Sequence, residues 1–219
     1  MKVILRESVT EIEVKKSKFI CHVKPVTDED QAKEFISEIK KEHRKATHNV
    51  PIYLIGQGFE IQKYSDDGEP AGTAGLPVLR MLMNEGLSDL VIVITRYFGG
   101  IKLGKGGLVR AYTAAAKHGL EASGLSEVLP LYFVVFELDY TVQNKFLHKL
   151  EKEFTYYEDS VEYSNSIKYS LFFKEEDIDA FEQTMIEFTS GAFRFLEKRR
   201  VDGVLLDGKI EEVKCPREF

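Results

Sequence analysis

Tryptophan is absent from this 219-residue chain, and cysteine is limited to Cys21 and Cys215. The two lie at opposite ends, with no second cysteine or histidine at ligand spacing around Cys215, so neither a disulfide framework nor a zinc site is expected. Cys21 is followed by His22 within an apparent strand, where neighbouring side chains face opposite sides; a nucleophile and its base would have to converge. Long hydrophobic runs are lacking too. The longest, Leu90 to Ile94 and Leu131 to Phe136, fall far short of the roughly 20 apolar residues that a membrane-crossing helix needs. The start, MKVILRESVTEIEVKKSKF, holds no sustained apolar core and no small-residue cleavage site, so a secretory leader is not expected and the cytoplasm is the expected compartment. What remains, 43% apolar, 30% charged and 11% aromatic, is the composition of a globular protein that buries a core without staples.

The net charge of −6 conceals an uneven distribution. Residues 1–130 hold 18 Lys+Arg and 17 Asp+Glu, net plus 1, whereas 131–219 hold 12 and 19, net minus 7. Pro130 separates a helix-like stretch from the strand-like LYFVVFELDY, which puts a domain boundary there. In the first part, 9–14 and 19–26 read as strands joined by a turn at VKKSK. Ala32, Phe35, Ile36 and Ile39 then mark an amphipathic helix with Thr27 or Asp28 as cap. Strands are expected at 50–55 and 59–64, a helix from Thr73 or Gly75 to Asn84, a covered central strand in DLVIVITRY, and a helix from Lys105 to Ala122. The second part reads strand, helix, strand, strand, helix, strand, the βαββαβ order of a ferredoxin-like unit. The whole is an α+β chain of two domains, 1–130 and 131–219.

Acidic residues are missing altogether between Asp89 and Glu121, while Arg96, Lys102, Lys105, Arg110 and Lys117 fall in that interval. Within it, Gly99, Gly100, Gly104, Gly106 and Gly107 allow main-chain N–H groups to approach an anion, with a helix start behind them. Gly99, Gly104 and Lys105 nearly satisfy a P-loop, but Gly106 stands where a hydroxyl should hold magnesium; Val109 likewise breaks a dinucleotide fingerprint. The plainer reading is that these glycines make turns and the cations are solvated. A second motif, SDDGEPAGTAG, places Asp66, Asp67 and Glu69 around Gly68, without the alternating oxygen series of an EF-hand. A polar turn with helix capping, Thr73 being a cap candidate, is the simpler account. His48, beside Arg44 and Lys45, is a binding candidate. No Ser-His-Asp set, HExxH motif or metal-ligand set can be assembled from adjacent residues, so no catalytic residue and no cofactor is named.

Ser65-Asp66-Asp67-Gly68-Glu69-Pro70 with Gly72-Thr73-Ala74-Gly75, and Thr95-Arg96-Tyr97-Phe98-Gly99-Gly100-Ile101-Lys102-Leu103-Gly104 with Gly107-Leu108-Val109-Arg110-Ala111-Tyr112, resemble the bacterial YigZ branch of the IMPACT family over essentially the whole chain. The resemblance implies an amino-terminal domain with the βαβ fold shared by domain IV of elongation factor G and a ribosomal protein, and a ferredoxin-like carboxy-terminal domain similar to domain V of that factor. Eukaryotic members carry an additional RWD domain and restrain the amino-acid-starvation kinase, a role not expected to transfer without that domain. A proline-dipeptidase label sometimes attached to bacterial members finds no metal-ligand set here.

The function expected is a noncatalytic RNA-binding or ribosome-binding protein that regulates translation. Arg96, Lys102, Lys105 and Arg110 would meet phosphates, Gly99, Gly100, Gly104 and Gly107 would supply main-chain donors, and Tyr97 or Phe98 would stack on a base. The acidic second domain would meet a protein partner, and no membrane is involved. The alternatives are an enzyme on a phosphorylated small molecule or nucleotide, using Asp66, Asp67 or Glu69, and a protein-interaction module.

Overall fold

The computed structural model describes residues 1–191 and 193–213. Cys215, weighed above as a possible ligand or disulfide partner, lies outside them. The chain forms two compact units that divide between Glu127 and Val128, slightly before Pro130.

The first unit runs β1 (Lys2–Ile4), β2 (Ser8–Val14), β3 (Ser17–Pro25), α1 (Glu29–Glu42), β4 (His48–Ile55), β5 (Ile61–Tyr64), α2 (Gly75–Asn84), β6 (Leu90–Tyr97), α3 (Lys105–Ser123) and β7 (Leu125–Glu127). Its main sheet has the order β2-β3-β6-β4-β5, with every neighbouring pair antiparallel. α1 begins where Asp28 accepts the Gln31 N–H, and lays Ala32, Phe35 and Ile39 on Val26, Tyr53, Val91 and Val93 at one face. α2 and α3 cover the other, packing Val78, Leu82, Leu108 and Tyr112 against Phe19, Ile52 and Ile92. The central strand β6 is therefore sandwiched, which is why Leu90 to Ile94 is an unbroken apolar run with no polar alternation. α3 approaches β3 so closely that a Cβ on Gly119 would stand 2.7 Å from the Cys21 sulfur. Burial there pushes the Cys21 thiol far above its ordinary range. His22, the next residue, instead bonds to His43 at the end of α1.

The second unit contains β8 (Leu129–Leu138), α4 (Gln143–Glu153), β9 (Tyr156–Tyr163), β10 (Ile167–Lys174), α5 (Ile178–Phe188), β11 (Glu197–Leu206) and β12 (Lys209–Glu212). The sheet order is β12-β11-β8-β10-β9, again antiparallel throughout. Phe136, Phe146, Tyr169, Phe173 and Phe181 form an aromatic core under the two helices. Pro130 sits inside β8 opposite Asp202, near the strand's start, where the missing N–H is tolerated. β12, absent from the sequence-based expectation, returns through Asp207 and Gly208, both at positive φ.

Candidate nucleic-acid interface

At one end of the first sheet, β3 and β4 begin and β6 ends, with Lys18 opposite Tyr97 and His48 opposite Arg96. Three connections meet there: the β2–β3 turn, the residues between α1 and β4, and the glycine loop between β6 and α3. The Thr47 N–H donates to the Arg96 carbonyl at 2.8 Å and the Phe98 N–H to the Thr47 hydroxyl at 3.0 Å. The Gly99 N–H donates to Ser17 Oγ at 3.2 Å. These bonds gather Lys15 and Lys16, Arg44 and Lys45, and Lys102 and Lys105 around one end, all exposed. Together with Arg110, one turn into α3, they form no ion pair among the described residues. Phe98 and Ile101 stand exposed among them, at 48% and 43%. Gly104, at φ 72, starts α3 without a side-chain cap, and the helix has no acidic residue in its first turn. Gly100 lies at φ 85 in the same loop.

Two residues of the expected cationic island do not belong to this surface. Lys117 sits twelve residues beyond Lys105 on α3, about 18 Å along the axis. Arg96 is buried, with 6% of its side chain exposed, and bonds Glu69 at 2.5 Å. Its guanidinium also lies over the Phe19 and Phe98 rings. A charge so placed is neutralised internally, which corrects the expectation that Arg96 meets phosphate.

Glu69 joins the two sequence motifs beneath that surface. Its Oε1 accepts from Arg96 Nη1 and from the Tyr112 hydroxyl at 2.8 Å, and its Oε2 lies 3.7 Å from His48 Nε2. His48 Nδ1 donates to the Asp67 carbonyl at 2.7 Å, since that oxygen can only accept. His48 is thus held edge-on beside Gly68, whose Cβ, if present, would stand 3.4 Å from the ring nitrogen. Burial, and after it the Glu69 carboxylate, drive the Tyr112 phenol far above its ordinary pKa, so it remains a donor. Asp67 accepts from the Asn49 N–H and from Lys40. Asp66 accepts from the N–H groups of Gly72, Ala74 and Gly75, closing the start of α2. Thr73, the cap candidate, donates to the Pro70 carbonyl instead, and Ala74 occupies the cap position without a side-chain bond.

Tyr97 is likewise engaged. Its hydroxyl pairs with His43 Nδ1 at 3.0 Å, and His43 Nε2 pairs with His22 Nε2 at 3.0 Å. Of the two aromatic candidates, Phe98 is the more exposed, with the Arg96 guanidinium against its ring. Burial, then repulsion from His43, lowers the His22 pKa, while Glu42 opposes the shift. A folded-state pKa below the unfolded value of about 6.5 means that the unfolded chain binds the proton more tightly. The stability contributed by neutral His22 is therefore present above that value and lost as pH falls through the folded pKa. Urea midpoints measured between neutral and mildly acidic pH should fall less steeply in His22→Gln than in the parent.

Among the described residues, no three histidine, cysteine or carboxylate side chains converge to hold a metal ion, and no helix is long and apolar enough to cross a membrane.

Comparison with known proteins follows the same two-part division. Residues 15–120 match the Impact N-terminal domain and residues 136–192 match a domain of unknown function, DUF1949. IMPACT family member YvyE of Bacillus subtilis is 44% identical over 182 residues, covering 83% of each chain. This chain belongs to the IMPACT family. A member from Haemophilus influenzae is 34% identical over 84% of this chain and 89% of its own. Protein IMPACT of the rat is 34% identical, but the match spans only 29% of that protein. A crystal structure of a hypothetical protein superposes with a TM-score of 0.56 at 27% identity, covering 89% of this chain and 95% of that one. The mixed α/β, two-domain fold is consistent with the two matched domains and superposes on a solved structure over most of its length.

Proposed function

We propose that this IMPACT-family protein binds RNA through the open end of its first sheet, on the ribosome or on RNA linked to translation, and acts as a noncatalytic regulator. The observation that carries this reading is the set of exposed cations, without ion pairs among the described residues, from three separate connections around Phe98 and Ile101. Lysine and arginine side chains of this kind neutralise phosphates, and an exposed ring offers a face on which an unpaired base stacks. Uncapped N–H groups at the start of α3 add fixed positive potential. The finer fold likenesses belong to the same proposal. The order β11-β8-β10-β9 with βαββαβ connections supports a ferredoxin-like second domain, and the first is read as the fold of domain IV of elongation factor G. The net-negative second domain is assigned to a protein contact rather than to RNA.

The alternative of an enzyme on a phosphorylated small molecule is less well supported, because Asp66, Asp67 and Glu69 are already engaged with main-chain N–H groups, Lys40, Arg96 and Tyr112. Replacing Lys102 and Lys105 together by alanine should weaken binding to single-stranded RNA. The slope of log K against log salt should become shallower by about 1.4, at roughly 0.7 per lost phosphate contact. Affinity and slope both unchanged in a filter-binding or anisotropy titration would remove the assignment.

A further inference from the structure

Beside the cationic end lies a cleft of about 300 Å³ between the β2–β3 turn and the first turns of α3. Val14, Leu103, Ala111 and Ala114 line it with apolar groups, Lys15 and Arg110 supply its charge, and no carboxylate takes part. Neither cation has an ion-pair partner among the described residues. We propose that this cleft receives one nucleotide of a single-stranded RNA, the base against the apolar wall and the adjoining phosphate between Lys15 and Arg110. The inference rests on the RNA reading above and assigns it a base-holding subsite.

Three features support it. An apolar wall bordered by unneutralised cations matches a ligand that joins a flat, weakly polar face to an anion, and a nucleotide does so within a few ångströms. The size agrees: sites for small ligands begin at about 300 Å³, enough for one nucleotide and too little for a lipid chain. The turn that presents Lys15 also breaks the local rule. Val14 pairs with Ser17, so the loop has two residues, and Lys15 and Lys16 lie at φ 47 and 66. Left-handed conformation at both positions is the pattern in which Asn-Gly is strongly preferred. Two lysines held there accept backbone strain without an ion-pair partner among the described residues, a conflict expected where a residue serves binding rather than folding.

The test compares oligouridylate with its abasic ribose–phosphate analogue. The parent protein should prefer the base-bearing strand by about tenfold. Ala114→Phe, on a half-buried position of α3, fills the cleft while leaving every cation in place; it should abolish that preference with the salt slope intact. Ala114→Leu, a smaller change that suits a helix, serves if phenylalanine disturbs folding. Lys15→Asn with Lys16→Gly should fold at least as stably as the parent, because the turn gains its preferred pair, yet bind with a shallower salt slope. Equal binding of the two strands by the parent, or a preference that survives in the filled variant, overturns the subsite and leaves the RNA reading standing. Failure of the parent to bind either strand overturns both.

Discussion

Glu69→Ala is expected to lower the unfolding free energy by about 3–5 kcal/mol, the cost of removing one member of a buried ion pair. Glu69 and Arg96 expose 3% and 6% of their side chains. Without the carboxylate, the guanidinium keeps its charge in a site water scarcely reaches, and its Nε already has no hydrogen-bond partner among the described residues. The Tyr112 hydroxyl loses its acceptor at the same time. Tyr112→Phe should cost much less, about 1 kcal/mol, because Arg96 and Glu69 still neutralise each other. The pairing predicts strong non-additivity: Glu69→Leu combined with Arg96→Met should recover much of what either single change loses, since no lone charge remains buried. Urea unfolding of the parent, Glu69→Leu, Arg96→Met and their double, beside Glu69→Ala and Tyr112→Phe, measures this. A Glu69→Ala loss below about 1 kcal/mol would mean that the pair is solvated and contributes as a surface pair does.

That network also marks the limit of what the sequence discloses. Charge along the chain placed Arg96 in the cationic island, but the residue that neutralises it stands 27 positions earlier. Glu69 reads in the sequence as one acid of a polar turn or as a candidate of the enzyme alternative, and nothing local links it to Arg96. Asp66 closes the start of α2 from nine residues before Gly75, whereas the capping rule searches the immediately preceding positions and so selected Thr73. By contrast, α1, β6 and α3 were legible because their apolar spacing records which faces are covered, and that spacing is local. The three-residue strands β1 and β7, whose pairing sets Lys2 opposite Glu127, are too short to carry any period. Two other features carry local signals. Asp207-Gly208, between Leu206 and Lys209, is a hairpin dipeptide announcing β12. The Lys15-Lys16 turn is itself a sequence of two adjacent cations, and both are exposed.

Gly99→Ala should disable the interface without removing a charge. A Cβ on Gly99 would fall on the carbonyl group of Lys16 and 2.5 Å from the Ser17 nitrogen, so main chain meets side chain and no rotamer relieves the clash. Overpacking of this kind costs about 1–3 kcal/mol. The neighbouring Gly100 differs: nothing lies within 4 Å of its added Cβ, but its φ of 85 strains any other residue, and Gly100→Ala should cost about 1 kcal/mol. Only the first change drives the β6–α3 loop off the β2–β3 turn, breaking the Gly99 bond to Ser17 and parting Lys102 and Lys105 from Lys15 and Lys16. If these cations act as one surface, RNA affinity and salt slope should both fall in Gly99→Ala and remain near parental in Gly100→Ala, although neither variant has lost a lysine. Denaturation and RNA titration of the same preparations separate the outcomes. A slope unchanged in Gly99→Ala, alongside reduced stability, would mean that the connections bind independently and that the close approach of Gly99 to Lys16 serves the fold alone.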